Sequence, residues 1–414
     1  MEREIEVPPY FVCSISMQIM QDPVTLCTDV TYDREGIEKW IYELRKNTCP
    51  ATMQVLHDRE LTPNHTLRRL IQQWCIANSS AIPDLPLDTD QLNEMLRHIG
   101  SCPAPPFRVK ALKKLRTLAA ESDTNRQCIA SSDAPAVLVS VIESHSPEAG
   151  ETGCCYDVAV ACEEALTVLH SLQLPDETVE SLTTARCLAS VASILKRGTS
   201  NARFQAAMLL LTVSTKGVER FVTNANDNLI EGLLELLTEE VCHKASSAAL
   251  QVLTAMSINS RRRRKKVIEA GAVSVLIELL TEQTPERGSA CERMLFLLDV
   301  LCRCGEGRAA VADHAMGIPA ISKKIFRVSH LATDKAVRIL WSLCKFSLSQ
   351  HIMNEMLQVG AVKKLCTLLY VDCRPKTKRK ATEMLKLHGN YWSSSSCFTT
   401  GCILCNCDKQ LFFY

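Results

Sequence analysis

The sequence predicts a small α+β module at the N-terminus, followed by an all-α solenoid built from helical repeats. Three observations support this prediction. Near the N-terminus, two loops have the spacing of zinc-binding pairs but lack the second ligand of each pair. Further along, an apolar helical pattern recurs at intervals that are mostly 42 to 46 residues. Aromatic residues make up only 5% of the 414 residues, which suits stacked helices better than a β-sandwich.

The composition excludes several classes of protein. The 47 basic residues balance the 46 acidic ones, so bulk charge does not indicate a nucleic-acid partner or an anionic membrane. No apolar run approaches the ~18 residues that span a bilayer, and the charged residues 1–6 do not resemble a signal segment. The 21 cysteines are odd in number and scattered, so we expect reduced thiols in core positions. We therefore expect a cytoplasmic protein, with the nucleus as an additional location.

The two loops near the N-terminus resemble a zinc site from which ligands have been removed. Cys13 is followed at zinc-ligand spacing by Ser16, and Cys49 is followed in the same way by Thr52. A structural zinc site needs four Cys or His ligands, and the cysteines and histidines of residues 8–75 cannot be grouped into two such pairs. We therefore expect no metal and no cofactor, and something else must hold the loops.

Without zinc, other interactions would have to supply the folding free energy that the metal provides in a zinc finger. Structural zinc stabilises small zinc-finger peptides by on the order of 10–16 kcal/mol. A single hydrogen bond contributes about 0.5–1.5 kcal/mol, so several bonds and an apolar core are needed together. The residues that we expect to form this scaffold are Cys13, Ser16, Asp22, Arg34, Cys49, Thr52 and Asn64.

Local patterns predict the order hairpin, helix, loop, helix for this module. Residues 25–27 and 31–32 would pair around a turn at Asp29, and Asp33 would cap the first helix. Thr62 and Pro63 would cap and begin the second helix. Helical spacing predicts two buried faces, formed by Ile37, Trp40, Ile41 and Leu44 and by Leu67, Leu70, Ile71, Trp74 and Cys75.

Taken as a set, these motifs resemble the U-box of plant ubiquitin ligases that join a U-box to armadillo repeats. The resemblance spans the whole module, although each piece is weak alone. The matching segments are Val7-Pro8, Phe11-x-Cys13, Ile15-Ser16, Met20-x-Asp22-Pro23-Val24, Thr31-Tyr32-Asp33-Arg34, Ile37-x-x-Trp40, Cys49-Pro50-x-Thr52, Leu61-Thr62-Pro63-Asn64 and Leu67-Arg68-x-Leu70-Ile71-x-x-Trp74-Cys75.

The resemblance implies that the module docks a ubiquitin-conjugating enzyme charged with ubiquitin. Carried over by position, the docking residues are Ile15, Trp40 and Pro50. Transfer would be positional, without a covalent intermediate on the ligase. The resemblance further implies a plant protein that acts in stress or immune signalling, with a homodimer as an open alternative. From the residues alone, core packing is the more common role for a tryptophan such as Trp40, and Ile15 is equally compatible with simple packing inside its loop.

Three residues depart from the family pattern. Ser14 replaces a proline, Asp29 replaces a glycine, and Met53 stands where a basic residue often lies. In related ligases that cation bridges ubiquitin and the conjugating enzyme, and Met53 cannot donate a charged hydrogen bond. A non-catalytic armadillo adaptor with a weakened U-box is therefore the alternative hypothesis. A zinc-dependent ring is the third.

The rest of the chain is repetitive. Apolar helical segments begin near residues 133, 186, 228, 271, 317 and 360, and the clearest two begin with Gly-Ala-Val. A period near 40–47 residues indicates an armadillo or HEAT solenoid, whose units bury their apolar faces only by stacking. We expect the helix that follows each Gly-Ala-Val turn to be the longest of its repeat. In armadillo proteins it would line the groove that binds a partner, here a protein substrate.

Other motifs permit two interpretations or none. The basic run at residues 261–266 suggests a nuclear-localisation signal or, more simply, a solvated turn and short helix. Gly305-Glu306-Gly307 lacks the lysine of a phosphate-binding loop, so we reject nucleotide binding.

The predicted domains are a U-box at 8–82, a linker with a short helix at 83–106, an armadillo solenoid at 107–390 and a poorly ordered Ser/Cys-rich tail at 391–414.

Overall fold

The computed structural model describes residues 7–77, 89–101, 105–144, 156–239, 241–282, 288–347 and 349–393. The chain divides into two compact units, Met1–Glu94 with Leu118–Ile129 and Met95–Thr117 with Ala130–Tyr414. Residues 83–88 and 102–104 of the predicted linker, the side chain of Cys75 and almost all of the Ser/Cys-rich tail lie outside the described residues. The short helix predicted within the linker is present.

The N-terminal module contains a three-stranded antiparallel sheet. Strand β1 (Pro23–Thr25) lies in the centre, between β2 (Thr31–Asp33) and β3 (Thr62–Pro63). The register places Val24 opposite Tyr32. The predicted hairpin is thus confirmed, and Asp29 in its turn has a left-handed backbone (φ 58°), which aspartate adopts at modest cost.

The first helix changes its pitch after one turn. Helix α1 (Arg34–Glu38) continues into a π turn at Lys39–Glu43, closed by a hydrogen bond from the Leu44 amide to the Lys39 carbonyl at 2.9 Å. The wider turn rotates the residues after it around the helix axis. Leu44 is therefore 61% exposed, and its predicted place on the buried face was wrong.

The second helix begins later than predicted. Thr62 and Pro63 form strand β3, and the helix α2 runs over His65–Ala77. Asn64 is its cap, because its side-chain oxygen accepts a hydrogen bond from the Leu67 amide at 3.0 Å. Leu70 is 48% exposed, contrary to prediction, because only a narrow stripe of the helix faces the sheet.

The two predicted loops and the strands and helices enclose one apolar core. It includes both loop cysteines, which are fully buried. A short 3₁₀ turn at Pro9–Phe11 brings the Phe11 ring edge-on to Trp74 of α2, with ring centroids 5.9 Å apart. The core residues are Phe11, Cys13, Met20, Val24, Leu26, Tyr32, Ile37, Ile41, Cys49, Leu56 and Ile71.

The described part of the chain beyond residue 88 is helical. The predicted short helix is α3, and the following helices succeed one another mostly in groups of three. They are α3 (Thr89–Ser101), α4 (Pro105–Glu121), α5 (Asp123–Ser131), α6 (Ala134–Glu143), α7 (Tyr156–Ser171), α8 (Asp176–Leu182), α9 (Ala185–Arg197), α10 (Ser200–Lys216), α11 (Val218–Asn224), α12 (Asp227–Thr238), α13 (His243–Ile258), α14 (Arg261–Glu269), α15 (Ala272–Glu282), α16 (Gly288–Leu301), α17 (Gly305–Asp313), α18 (Gly317–Lys324), α19 (His330–Phe346), α20 (Gln350–Gln358), α21 (Ala361–Tyr370) and α22 (Pro375–Ser393).

The predicted repeat starts are confirmed as the first residues of α6, α9, α12, α15, α18 and α21, to within one residue. Their lengths contradict the prediction, however. The Gly-Ala-Val helices α15 and α21 have 11 and 10 residues, whereas α13 and α19 have 16 and 17. The long helices α7, α10, α13, α16, α19 and α22 pack on one another in order. We call this stack the long-helix ladder.

Backbone conformation explains why the two clearest repeats both begin with glycine. Gly271 and Gly360 both have left-handed backbones, with φ of 86° and 71°. Only glycine adopts this conformation without strain, so it ends one helix and redirects the chain into the next. The long helices α10 and α19 begin with hydroxyl caps instead, where Thr199 accepts from the Ala202 amide and Ser329 from the Ala332 amide.

Gly307 is required for close packing rather than for phosphate binding. A Cβ at Gly307 would lie 2.2 Å from the Leu301 carbonyl oxygen, which belongs to the backbone and cannot move aside. We expect Gly307→Ala to destabilise the solenoid by about 1–3 kcal/mol, measured by chemical denaturation. Gly305→Ala is the matched control, because the closest atom to its Cβ would be an Arg308 nitrogen at 3.8 Å. Equal stability of the two variants would contradict the packing argument.

The basic run at residues 261–266 forms much of α14, and several of its cations have structural partners. Arg263 donates to the Val222 and Thr223 carbonyls, both at 2.6 Å, at the end of α11. Arg264 is nearly buried and donates to the last carbonyls of α13. Lys265 pairs with Glu306 at 2.5 Å. These contacts account for much of the run by inter-repeat packing.

No helix within the described ranges is both long enough and apolar enough to cross a membrane.

Candidate functional site

The two zinc-like loops of the N-terminal module have the same backbone structure. In loop 1 (residues 12–20), the Cys13 amide donates to the Gln18 carbonyl and the Met17 amide to the Cys13 carbonyl, both at 2.8 Å. In loop 2 (residues 48–56), the Cys49 amide donates to Gln54 and the Met53 amide to Cys49, again at 2.8 Å. Met17 and Met53 both have left-handed backbones. Each loop therefore closes on its own cysteine.

Tyr32 holds loop 2 from within the core. Its hydroxyl shares a hydrogen bond with the Cys49 sulfur at 3.0 Å and accepts one from the Ala51 amide at 2.9 Å. Burial raises the pKa of Tyr32 well above its ordinary value, and the hydrogen bond with Cys49 raises it further, so the hydroxyl remains a donor. One buried side chain on β2 thus satisfies both a sulfur and a backbone amide of the loop.

The next two residues of β2 and α1 hold loop 1. The Asp33 amide donates to the Cys13 sulfur at 3.3 Å. The Asp33 carboxylate accepts from the Gln21 and Asp22 amides, each at 2.8 Å, and therefore does not cap α1. Arg34 pairs with Asp22 at 2.6 Å. Tyr32, Asp33 and Arg34 are consecutive, so the end of the hairpin connects both loops.

The remaining candidates for the scaffold lie at its edges. The Asn64 side chain donates to the hydroxyls of Thr25 and Thr31 at 3.4 and 3.5 Å, which joins α2 to the hairpin. The Thr52 hydroxyl accepts from the Gln54 amide at 3.5 Å, a weak bond within loop 2. Ser16 is exposed, and its hydroxyl has no hydrogen bond among the described residues.

The three candidate docking residues lie on the two loops and on the helix between them. Ile15 of loop 1 packs beside Gly36 of α1, where a Cβ would lie 3.5 Å from the Ile15 side chain. Trp40 lies in the π turn and donates from Nε1 to the Thr48 carbonyl of loop 2 at 2.8 Å. Pro50 follows in that loop. All three side chains are partly exposed, and the helix contacts loop 1 at Ile15 and loop 2 at Thr48.

The loop cysteines are suited to structure and not to nucleophilic chemistry. Although burial raises the pKa of the Cys49 thiol, the hydroxyls of Thr28, Thr52 and Tyr32 around it lower that pKa to about 6. The sulfur is nevertheless fully buried and is already hydrogen-bonded to Tyr32. A substrate has no access to it. Within the described ranges, no cluster of three His, Cys, Asp or Glu side chains has the geometry of a metal site.

Sequence reasoning missed two features of this site. Loops 1 and 2 share the pattern Cys-x-x-x-Met-Gln, at Cys13 to Gln18 and again at Cys49 to Gln54. That repetition was visible and would have indicated two equivalent loops. The role of Tyr32 was not visible, because a tyrosine in a hairpin gives no sign of which distant loop its hydroxyl reaches.

Comparison with known proteins agrees with this geometry. A family model described as "U-box domain" matches residues 7–80, and one described as "Plant U-box protein ARM repeat region" matches residues 91–407. The chain belongs to the plant family of U-box ubiquitin ligases with armadillo repeats. The N-terminal module is therefore a U-box, and the helical repeats are armadillo repeats.

Two similar relatives are ubiquitin ligases of Arabidopsis thaliana. The chain is 37% identical to E3 ubiquitin-protein ligase PUB23, an alignment that covers 98% of each protein. It is 36% identical to E3 ubiquitin-protein ligase PUB22, over 96% of this chain and 98% of the relative. The crystal structure of an engineered protein matches 72% of the chain and 67% of its own length, with a TM-score of 0.52 and 18% identity. That likeness concerns the fold alone.

Proposed function

We propose that the U-box binds a ubiquitin-charged conjugating enzyme through Ile15, Trp40 and Pro50. We propose further that it promotes ubiquitin transfer to lysines of a protein held by the armadillo repeats, in plant stress or immune signalling. The observation that supports this most strongly is the pairing of the two loops through one helix. Ile15 packs on α1, and Trp40 of the adjoining π turn holds loop 2 by its hydrogen bond to Thr48.

A partly exposed apolar patch with one aromatic residue has the composition of a binding hot spot. The patch is positioned before a partner binds, because Tyr32 and Trp40 form hydrogen bonds with loop 2 and Asp33 forms one with loop 1. A preformed surface loses little conformational entropy on binding. The hydrogen bonds that take the place of zinc in this fold therefore also support docking.

The chemistry would take place on the conjugating enzyme. The amine of a substrate lysine attacks the thioester carbonyl, the carbon–sulfur bond breaks, and the conjugating enzyme's cysteine leaves as a thiol. An isopeptide bond remains. The ligase contributes proximity and orientation, which lower the barrier without any ligase residue touching the reacting atoms. The buried Cys13 and Cys49 agree with this non-covalent role.

Met53 is the residue that distinguishes an active ligase from a binding adaptor. It is 66% exposed on loop 2 and lies where related ligases carry a cation. We expect the purified protein to form polyubiquitin with activating enzyme, conjugating enzyme, ubiquitin and ATP. We expect Met53→Arg to raise the rate about tenfold, because a hydrogen bond to a charged group contributes about 1.5–3 kcal/mol. Quantification of polyubiquitin chains on gels over time measures the rate for the wild type and for Met53→Arg.

Met17→Arg is the matched control. Met17 occupies the equivalent position of loop 1, with the same left-handed backbone and an exposure of 76%. The rate of this variant should equal that of the wild type. Chains formed only by Met53→Arg would support the adaptor with a weakened U-box. Failure of all three proteins to form chains would exclude the proposed function.

A further inference from the structure

The end of the long-helix ladder carries an unusual concentration of positive charge. Helix α22 has five basic residues and a single acidic one, and α19 has three basic residues and a single acidic one. The whole chain, by contrast, has a net charge of only +1. The surplus lies on α22, because the α19 cations have partners: Lys335 and Arg338 pair with Asp299 of α16 at 3.7 and 3.1 Å, and Lys345 pairs with Glu383 at 2.8 Å.

A carboxylate is already bound at this place by residues of the chain itself. Glu383 of α22 accepts from Trp341 Nε1 at 2.7 Å and from Lys345 Nζ at 2.8 Å, both on α19. Two lysine ammonium groups also make cation–π contacts with the Trp341 ring, with Lys380 Nζ 3.2 Å and Lys345 Nζ 4.7 Å from the ring centroid. The geometry thus fits a carboxylate between an indole N–H and a lysine.

Further cations extend outward from this contact along α22. Arg379 and Lys386 flank Glu383 on one face of the helix, both exposed, and neither has an ion pair within the described residues. Together with Thr382 and Leu387 they line an open depression of about 590 Å³. Leu387 is 57% exposed there, so the depression also offers an apolar contact.

The acidic groups of these two helices do not neutralise the surplus. Asp334 of α19 is buried and accepts from the Thr377 hydroxyl at 2.6 Å. Glu383 is shared between Trp341 and Lys345. Both carboxylates are thus used within the ladder, and the exposed Arg379 and Lys386 of α22 remain for a partner.

We propose that this surface, formed by Trp341, Lys345, Arg379, Lys380, Lys386 and Leu387, binds an acidic segment of the protein substrate. The proposal rests on the function proposed above, in which the repeats hold the substrate. It adds the chemistry of what they hold, namely Asp or Glu side chains with an apolar residue nearby. Charge complementarity provides the attraction, and Leu387 provides a contact for the apolar residue.

An acidic peptide fits this surface better than a nucleic acid does. A phosphodiester chain would bring its charges close to the Glu383 carboxylate, which lies in the middle of the depression. It would also offer no aliphatic group to Leu387. A peptide can place single carboxylates on either side of Glu383 and an apolar side chain over Leu387.

The test is fluorescence anisotropy of the full-length protein with a fluorescein-labelled Glu-rich peptide that contains one leucine. We expect saturable binding that weakens as salt rises, because the contacts are exposed charge pairs. The double variant Arg379→Glu/Lys386→Glu should bind at least about tenfold more weakly. The control Lys323→Glu/Lys363→Glu makes the same charge change at exposed positions of α18 and α21, and should bind like the wild type.

The outcomes separate this proposal from the ligase function. No peptide binding, an equal loss in the two double variants, or tighter binding of a single-stranded DNA probe would each overturn the proposal. Autoubiquitination is measured in parallel, and Arg379→Glu/Lys386→Glu should leave it unchanged because the U-box is intact. A protein that binds the peptide as expected but forms no ubiquitin chains would contradict the ligase function and not the acidic-segment site.

Discussion

Trp40→Ala is expected to abolish most ubiquitin-chain formation, because the variant loses both the aromatic anchor of the docking surface and its link to loop 2. The Trp40 ring packs against the U-box core, and its Nε1 donates to the Thr48 carbonyl at 2.8 Å. Truncation of an aromatic hot spot typically costs 2 kcal/mol or more, so affinity for the conjugating enzyme should fall at least about thirtyfold. Isothermal titration with a purified conjugating enzyme measures this affinity.

Two further variants separate the contributions of the Trp40 ring and of its hydrogen bond, and distinguish a loss of binding from a loss of stability. Trp40→Phe keeps an aromatic ring and loses only the hydrogen bond to loop 2, so we expect an intermediate loss. Trp74→Ala removes a ring of the same size from α2, where Trp74 packs edge-on against Phe11. It should lower the stability of the U-box but not the affinity of the folded protein. Wild-type affinity of Trp40→Ala would show that Trp40 is a core residue and nothing more.

Tyr32→Phe is expected to release loop 2, although it removes a single oxygen atom. The buried hydroxyl satisfies the Cys49 sulfur and the Ala51 amide, and both would be left without this partner. Leaving the fully buried Cys49 sulfur unsatisfied costs about 1–3 kcal/mol, and the Ala51 amide, which belongs to an exposed residue, loses the hydrogen bond that slows its exchange. Amide hydrogen exchange followed by mass spectrometry should therefore show about tenfold faster exchange, or more, in the peptide that contains Ala51.

Thr31→Val is the control for Tyr32→Phe, because it removes a hydroxyl from the same strand. The Thr31 hydroxyl bonds that of Thr25 at 2.9 Å in a partly exposed position, where water can replace the lost partner. Exchange in loop 2 should stay close to that of the wild type. If Tyr32→Phe left loop 2 as protected as Thr31→Val does, the tyrosine would not be what holds the loop.

Much of the U-box could be predicted locally, and the two errors have different causes. The hairpin and the helix of Ile37 and Ile41 followed from turn chemistry and from apolar spacing. Leu44 was misplaced because apolar spacing assumes a constant pitch, whereas the π turn inserts an extra residue. Thr62 and Pro63 have the residues of a helix start, yet pairing with β1 makes them a strand. Tertiary contacts outweighed local preference at Thr62 and Pro63.

The candidate docking residues came from the family resemblance, and the structure supplies their physical setting. Nothing in the spacing of Ile15, Trp40 and Pro50 shows that one helix lies between the two loops. The hydrogen bond from Trp40 to Thr48 and the packing of Ile15 beside Gly36 place it there. Whether these three residues bind a conjugating enzyme stays a prediction, which the Trp40 variants test.

The sequence by itself determined the architecture of this protein. The period of the apolar pattern placed the starts of six helices to within one residue, because a helix face and a glycine turn are properties of a few adjacent residues. The missing second ligands of the Cys13 and Cys49 loops likewise excluded two complete zinc pairs.

Only the tertiary structure decided what holds the loops and what the repeats present to a partner. Tyr32 reaches Cys49 across 17 residues, and Trp341 reaches Glu383 across 42. Such contacts depend on how distant elements pack, and no local pattern encodes the distance between them. The same packing makes the long helices the continuous ladder, in place of the Gly-Ala-Val helices that the sequence favoured.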